Sequence, residues 1–133
     1  LCLQLSKFKK ENKALLTYQL FESDDEDGYI NSVKREVDEQ FEEINTSTYY
    51  FIKKSVRKIL RGIKTYIRYS KNKETEIQLL LYFCEKLKAL KPPIAKNTVL
   101  LNIFDRETSS IRKKILVLHE DLQYDYTLEL ESL

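Results

Sequence analysis

Apolar residues recur along this chain at intervals of three and four, and few places interrupt the pattern. From Tyr49 to Lys73, Ile52, Val56, Ile59, Leu60, Ile63, Tyr66 and Ile67 fall on one stripe of a helix. Lys53, Arg57, Arg61, Lys64, Arg68 and Lys71 fall almost opposite. At 1.5 Å per residue the helix is about 35 Å long. The stretch carries nine Lys or Arg and no acid, so it predicts an amphipathic helix with a basic back.

The same periodicity places the other elements. A first helix is predicted from Leu1 to about Phe21, on the stripe Leu1, Leu5, Phe8, Leu15 and Leu16, and Ser23 to Gly28 ends it. A second runs from about Asp27 to Ile44 on Ile30, Val33, Val37, Phe41 and Ile44, with Glu36, Asp38, Glu39, Glu42 and Glu43 on its polar face. Asn45 to Thr48 supplies N-cap residues for the basic helix. After the turn Ser70–Lys73, a fourth helix runs to about Leu90 with Asn72 as its cap. Its broad face (Ile77, Leu80, Leu81, Phe83, Cys84, Leu87, Leu90), with Leu79 and Tyr82 beyond it, predicts the most buried element. Pro92-Pro93 stops it. Asn97 or Thr98 caps a fifth helix, whose stripe Leu100, Ile103, Phe104, Ile111, Ile115, Leu118 and Leu122 reads as continuous. The polar patch Thr108 to Ser110 is where a kink or break is expected. The acidic tail 123–133 reads as a final helical turn, a docked extended segment or a loosely packed end.

The expected fold is all-α, a single domain over 1–133 built as an antiparallel bundle of about five helices. A solenoid-like stack of helix pairs is the alternative. Composition agrees. Two Gly and two Pro in 133 residues are too few for the tight turns of an all-β fold. The longest apolar run, Leu79 to Cys84, is too short to cross a bilayer. The chain begins at Leu1 and holds no Met, so an initiator and upstream sequence are expected before it. Cys2 and Cys84 lack CxxC spacing and sit among apolar residues, which predicts reduced core thiols in a cytoplasmic protein.

Candidate chemistry is sparse. Aligned as a calcium loop from Ser23, the acidic turn places Asp25, Asp27, Gly28 and Ile30 acceptably. It fails at position 1, which is Ser23, and at position 12, where Lys34 stands in place of a bidentate Glu. His119, beside Glu120 and Asp121, is the only histidine; no second ligand builds a zinc site and no nucleophile lies near in sequence. Gly-rich phosphate loops and the GxSxG and HExxH patterns are missing from the sequence. No catalytic residue, cofactor or metal is therefore expected.

The basic helix is the strongest functional signal. Arg57, Arg61, Lys64, Arg68 and Lys71 form a candidate contact for a polyanion or an acidic partner. Against this, Glu22 to Thr48 holds ten acids and two bases. The two segments are consecutive, so their flanks are expected to offset one another and leave the chain at +2. The part hardest to neutralise this way is Arg61 to Lys73. Nine tyrosines, several flanking the basic helix or in the tail, fit interfaces and core edges equally.

The stretches LSKFKKENKALLTYQLFES, FIKKSVRKILR, YIRYSKNKETEIQLLLYFCEKLK and LHEDLQYDYTLELESL together resemble a family of small, uncharacterised all-helical proteins of Bacteroidetes-type bacteria. The resemblance implies a cytoplasmic bacterial helical protein and transfers no functional residue. The expectation is a non-enzymatic module for protein–protein interaction or self-association, with no membrane contact. The alternative is a nucleic-acid-associated protein using the basic helix 49–73.

Overall fold

The computed structural model describes residues 26–133. The predicted first helix, Cys2 and the start of the acidic turn lie outside the described residues. The chain runs through α1 (Glu26–Glu42), α2 (Tyr49–Ser70), α3 (Lys73–Lys88), a short 3-10 turn (Ile94–Lys96), α4 (Thr98–Ile115) and α5 (Glu120–Glu131). No strand occurs among the described residues.

Local chemistry sets most of these ends. Thr48 caps α2 by accepting from the Phe51 N–H, and Asn72 caps α3 by accepting from Glu74 and Thr75. Asn97 caps α4 through Leu100 N–H. Lys71 closes α2 in the left-handed region, φ 56°, where its N–H reaches Ile67 O. That single residue reverses the chain between two long helices.

Polar contacts between helices give their directions. Glu26, at the start of α1, accepts from Ser70 Oγ (3.2 Å) at the end of α2 and from Thr75 Oγ1 (2.6 Å) at the start of α3. Tyr29 donates to Tyr66 O at 2.8 Å, so α1 and α2 are antiparallel. Asp38 meets Tyr82 and Lys86 of α3, which sets α1 and α3 parallel. Lys114 of α4 pairs with Glu76 at 3.0 Å, and Tyr126 of α5 meets Gln78. The helices thus alternate in direction as an antiparallel bundle.

α3 lies at the centre. It packs against α1, α2 and α4, and Thr75, Ile77, Leu79, Leu80, Leu81, Phe83, Cys84 and Leu87 are all buried. Burial on several sides explains why its apolar residues spread round the helix instead of keeping to one stripe. α2 instead buries a single stripe: Ile52, Val56, Ile59, Leu60, Ile63 and Tyr66.

The fifth predicted helix is not continuous. It ends at Ile115, and α5 begins at Glu120. The break falls at Leu116–His119 and not at Thr108–Ser110, which stays helical. Nothing in the apolar spacing marks it, because Leu118 and Leu122 still pack against the core from the far side of the turn. Two polar side chains hold it. His119 Nδ1 accepts from the Asp121 N–H at 3.4 Å, and Gln123 Nε2 donates to Leu116 O (3.2 Å) and Leu118 O (2.7 Å). These bonds serve helix-end groups that have no partner within the helix. The tail 123–133 is accordingly packed, with Tyr126 and Leu130 in the core. Gly28 likewise lies inside the first turn of α1 and not in a preceding loop.

Candidate interaction surface

Because α2 buries one stripe against α1 and α3, the opposite stripe faces outward. Lys54, Arg57, Lys58 and Arg61 are all exposed there, as are Lys64, Arg68 and Lys71. No acid occurs in α2. At its N-terminal end Tyr50 is 64% exposed and stacks edge-to-face with Phe51, ring centroids 5.4 Å apart. The outer face is therefore a cationic row with an aromatic pair at one end.

The expected neutralisation by the preceding acidic segment does not reach Arg57, Arg61 or Lys71 as ion pairs. Among the described residues, Arg57, Arg61 and Lys71 make no ion pair, and neither do Glu39, Glu42 or Glu43. Glu43 and Lys58 line one cleft between α1 and α2 without closing on each other. Glu26, Glu36 and Asp38 of α1 are turned to hydroxyls or to α3. Glu26 serves Ser70 and Thr75, and Glu36 accepts from Tyr66. Asp38 accepts from Tyr82 at 2.5 Å and pairs with Lys86 at 2.9 Å. Burial opposes ionisation of Asp38, but the Tyr82 hydroxyl and Lys86 outweigh it and hold the carboxyl below its ordinary range. Burial together with that carboxylate pushes the Tyr82 hydroxyl up.

Of the candidate contact residues, Lys64 has a partner within the fold. Its Nζ lies 2.9 Å from Glu107 Oε1 on α4. Glu107 is 2% exposed, and Oε1 has no hydrogen bond of acceptable geometry, so the contact is charge attraction without a directed bond. Burial, aided by the Glu107 charge, pushes the free Cys84 thiol up to about 12. This group escaped the sequence reading, although a signal existed. Position 107 falls between Ile103 and Ile111 on the apolar stripe of α4, so a carboxylate there is bound to be buried.

A second helix has the opposite charge. α5 carries Glu120, Asp121, Asp125, Glu129 and Glu131 and no base. Tyr124 (67% exposed) and Leu128 (49% exposed) stand four residues apart on its outer face. A cleft of about 290 Å³ between α1, α3 and α5 is lined by Lys34, Gln78, Glu85, Asp125, Tyr126 and Glu129 among others. Gln78 donates to the Tyr126 hydroxyl at 3.1 Å. Burial raises that hydroxyl, Gln78 opposes the rise, and the Glu74 carboxylate adds to it.

Two sites considered in the sequence take structural roles. Glu26 to Ile30, positions 4 to 8 of the aligned calcium loop, form the first turns of α1 and so do not form a loop. His119 is an exposed N-cap 3.8 Å from Asp121. Among the described residues, no helix is long and apolar enough to cross a membrane. No family model, curated protein or solved structure matches the chain; of the resemblance to a bacterial family, the structure bears out the small all-helical build.

Proposed function

We propose that this protein is a non-enzymatic helical interaction module that docks an acidic protein surface on the outer face of α2. One observation carries the reading. Lys54, Arg57, Lys58 and Arg61 form an exposed cationic row without carboxylate partners among the described residues, and exposed Tyr50 and Phe51 stand at its end. Rim charges steer and select a partner, while aromatic side chains supply the apolar contact area. A phosphate backbone would use the same cations, so nucleic acid is the competing occupant.

Fluorescence anisotropy with two labelled probes separates them: an acidic helical peptide bearing Tyr and Leu, and a DNA duplex of equal charge. The peptide is expected to bind more tightly, to weaken with salt, and to be lost in Arg57→Glu/Arg61→Glu. Tighter binding of the duplex, abolished by the same reversal, would replace this reading with the nucleic-acid one. No salt-sensitive binding of either probe would remove both.

A further inference from the structure

The two charged outer faces stand on opposite sides of α3. α2 packs on α1 and α3, α5 packs on α4, and α2 and α5 are not packing neighbours. α5 reaches α3 through Tyr126, which contacts Gln78 and Glu74. α1 and α4 each flank both helices. α1 meets α2 through Tyr29 and Tyr66 and shares a cleft with α5 through Lys34. α4 meets α2 through Lys64 and Glu107 and packs on α5, so each outer face points away from the central helix on its own side. α2 carries seven bases and no acid along its length, and α5 five acids and no base. Each also carries an exposed apolar pair, Tyr50 with Phe51 on α2 and Tyr124 with Leu128 on α5. The faces match one another in charge and in having apolar ground, yet within one molecule they cannot meet.

From this we infer that the acidic surface docking on α2 is α5 of a second copy of this chain, giving head-to-tail self-association. The inference rests on the reading of α2 above and names its partner. Because the matching faces lie on opposite sides, a two-fold dimer cannot join both pairs at once. Each contact leaves one free α2 face and one free α5 face, the condition for an open, heterologous chain. Association is therefore concentration-dependent and strongest at low ionic strength.

The test is sedimentation velocity over a wide concentration range, at about 0.1 M and about 1 M salt, where the Debye length falls from about 10 Å to about 3 Å. The wild type is expected to form oligomers at low salt and to dissociate at high salt. Arg57→Glu/Arg61→Glu on α2, and separately Leu128→Lys/Glu131→Lys on α5, each weaken self-association by about tenfold or more. All four positions are exposed, and helicity by circular dichroism confirms that each variant is folded; Lys54→Glu/Lys58→Glu serves as a second α2 variant. An equimolar mixture of the α2 and α5 variants still holds one intact pair of faces, so it forms a one-to-one complex although neither variant associates alone. A wild type that stays monomeric at low salt overturns the inference, as does a variant pair that self-associates undiminished. If the monomeric wild type still binds the acidic peptide, only the second copy is the wrong partner. If it binds no peptide either, the α2 reading falls with it.

Discussion

Lys64→Met tests the least expected contact in the fold. Glu107 is 2% exposed, and Lys64 is the cation at 2.9 Å from it. Removing one partner of a fully buried ion pair costs about 3–5 kcal/mol, because the remaining charge is left uncompensated in a medium of low dielectric. The Lys64 side chain keeps 55% of its surface in water, so the lower end applies, about 3 kcal/mol. For 133 residues that lowers Tm by roughly 12 °C. Glu107→Leu behaves differently. It removes the charge and the orphaned oxygen together while Lys64 turns into solvent, and it is expected to be neutral or stabilising. On a Glu107→Leu background, Lys64→Met should then have almost no effect, a coupling of about 3 kcal/mol in a double-mutant cycle. Urea denaturation followed by circular dichroism measures all four proteins. Equal losses from Lys64→Met in both backgrounds, or a Glu107→Leu as damaging as Lys64→Met, would refute the reasoning.

Three further outcomes follow from the same geometry. A Cβ added at Gly62 meets nothing within 4 Å, so Gly62→Ala should stabilise by about 1 kcal/mol through helix propensity alone; an unchanged denaturation midpoint would contradict this. Asp38 has its folded pKa held below the ordinary value of 3.8, so its contribution is present above that value and disappears as pH falls through the lower, folded one. Asp38→Asn should be less stable than wild type at neutral pH, and the gap should close in acid; a gap independent of pH would show that the ion pair adds nothing. Cys84 is buried, with its thiol raised to about 12, so it should react with thiol reagents only on unfolding. Modification in native buffer as fast as in urea would refute that.

Much of the helical frame was legible because each local rule points the same way. Asn72 is the N-cap read from the sequence, Thr48 comes from the capping run Asn45 to Thr48, and Asn97 is the one of Asn97 and Thr98 that caps α4. The spread of apolar residues round α3 announced a central helix. The break at Leu116–His119 was not legible, because it has neither Gly nor Pro. The α5 stripe resumes in near register, and the turn is closed by His119 and Gln123, residue types seldom read as stops. The candidate surface was only half legible. Helical spacing places Arg57, Arg61, Lys64 and Arg68 on the exposed face, but it included Lys53, which is half-buried, and left out Lys54 and Lys58, which are exposed. Which cations find partners depends further on α4, distant in sequence. Spacing within α2 cannot show that Lys64 reaches Glu107.

The near-zero net charge shows why the sum was a poor guide. A total of +2 argues against a charged binding face only if opposite charges lie within screening distance of one another. Packed helices sit about 8–10 Å apart axis to axis. With α3 between them, α2 and α5 are separated by about twice that distance, and their outer faces by more. The Debye length at physiological salt is about 8 Å, so the acids of α5 scarcely weaken the field over Arg57 and Arg61. Of the nearer acids on α1, Glu26 serves Thr75, Asp38 serves Tyr82 and Lys86, and Glu39 and Glu42 make no ion pair among the described residues. A partner approaching α2 therefore meets the local row of cations, and a partner approaching α5 meets the local acids. Near-neutrality is then what a chain needs if its surfaces are to match each other: an excess of either sign would repel the second copy before the faces could dock. The balance that seemed to argue against a charged interface is, on this geometry, a condition for one between like molecules.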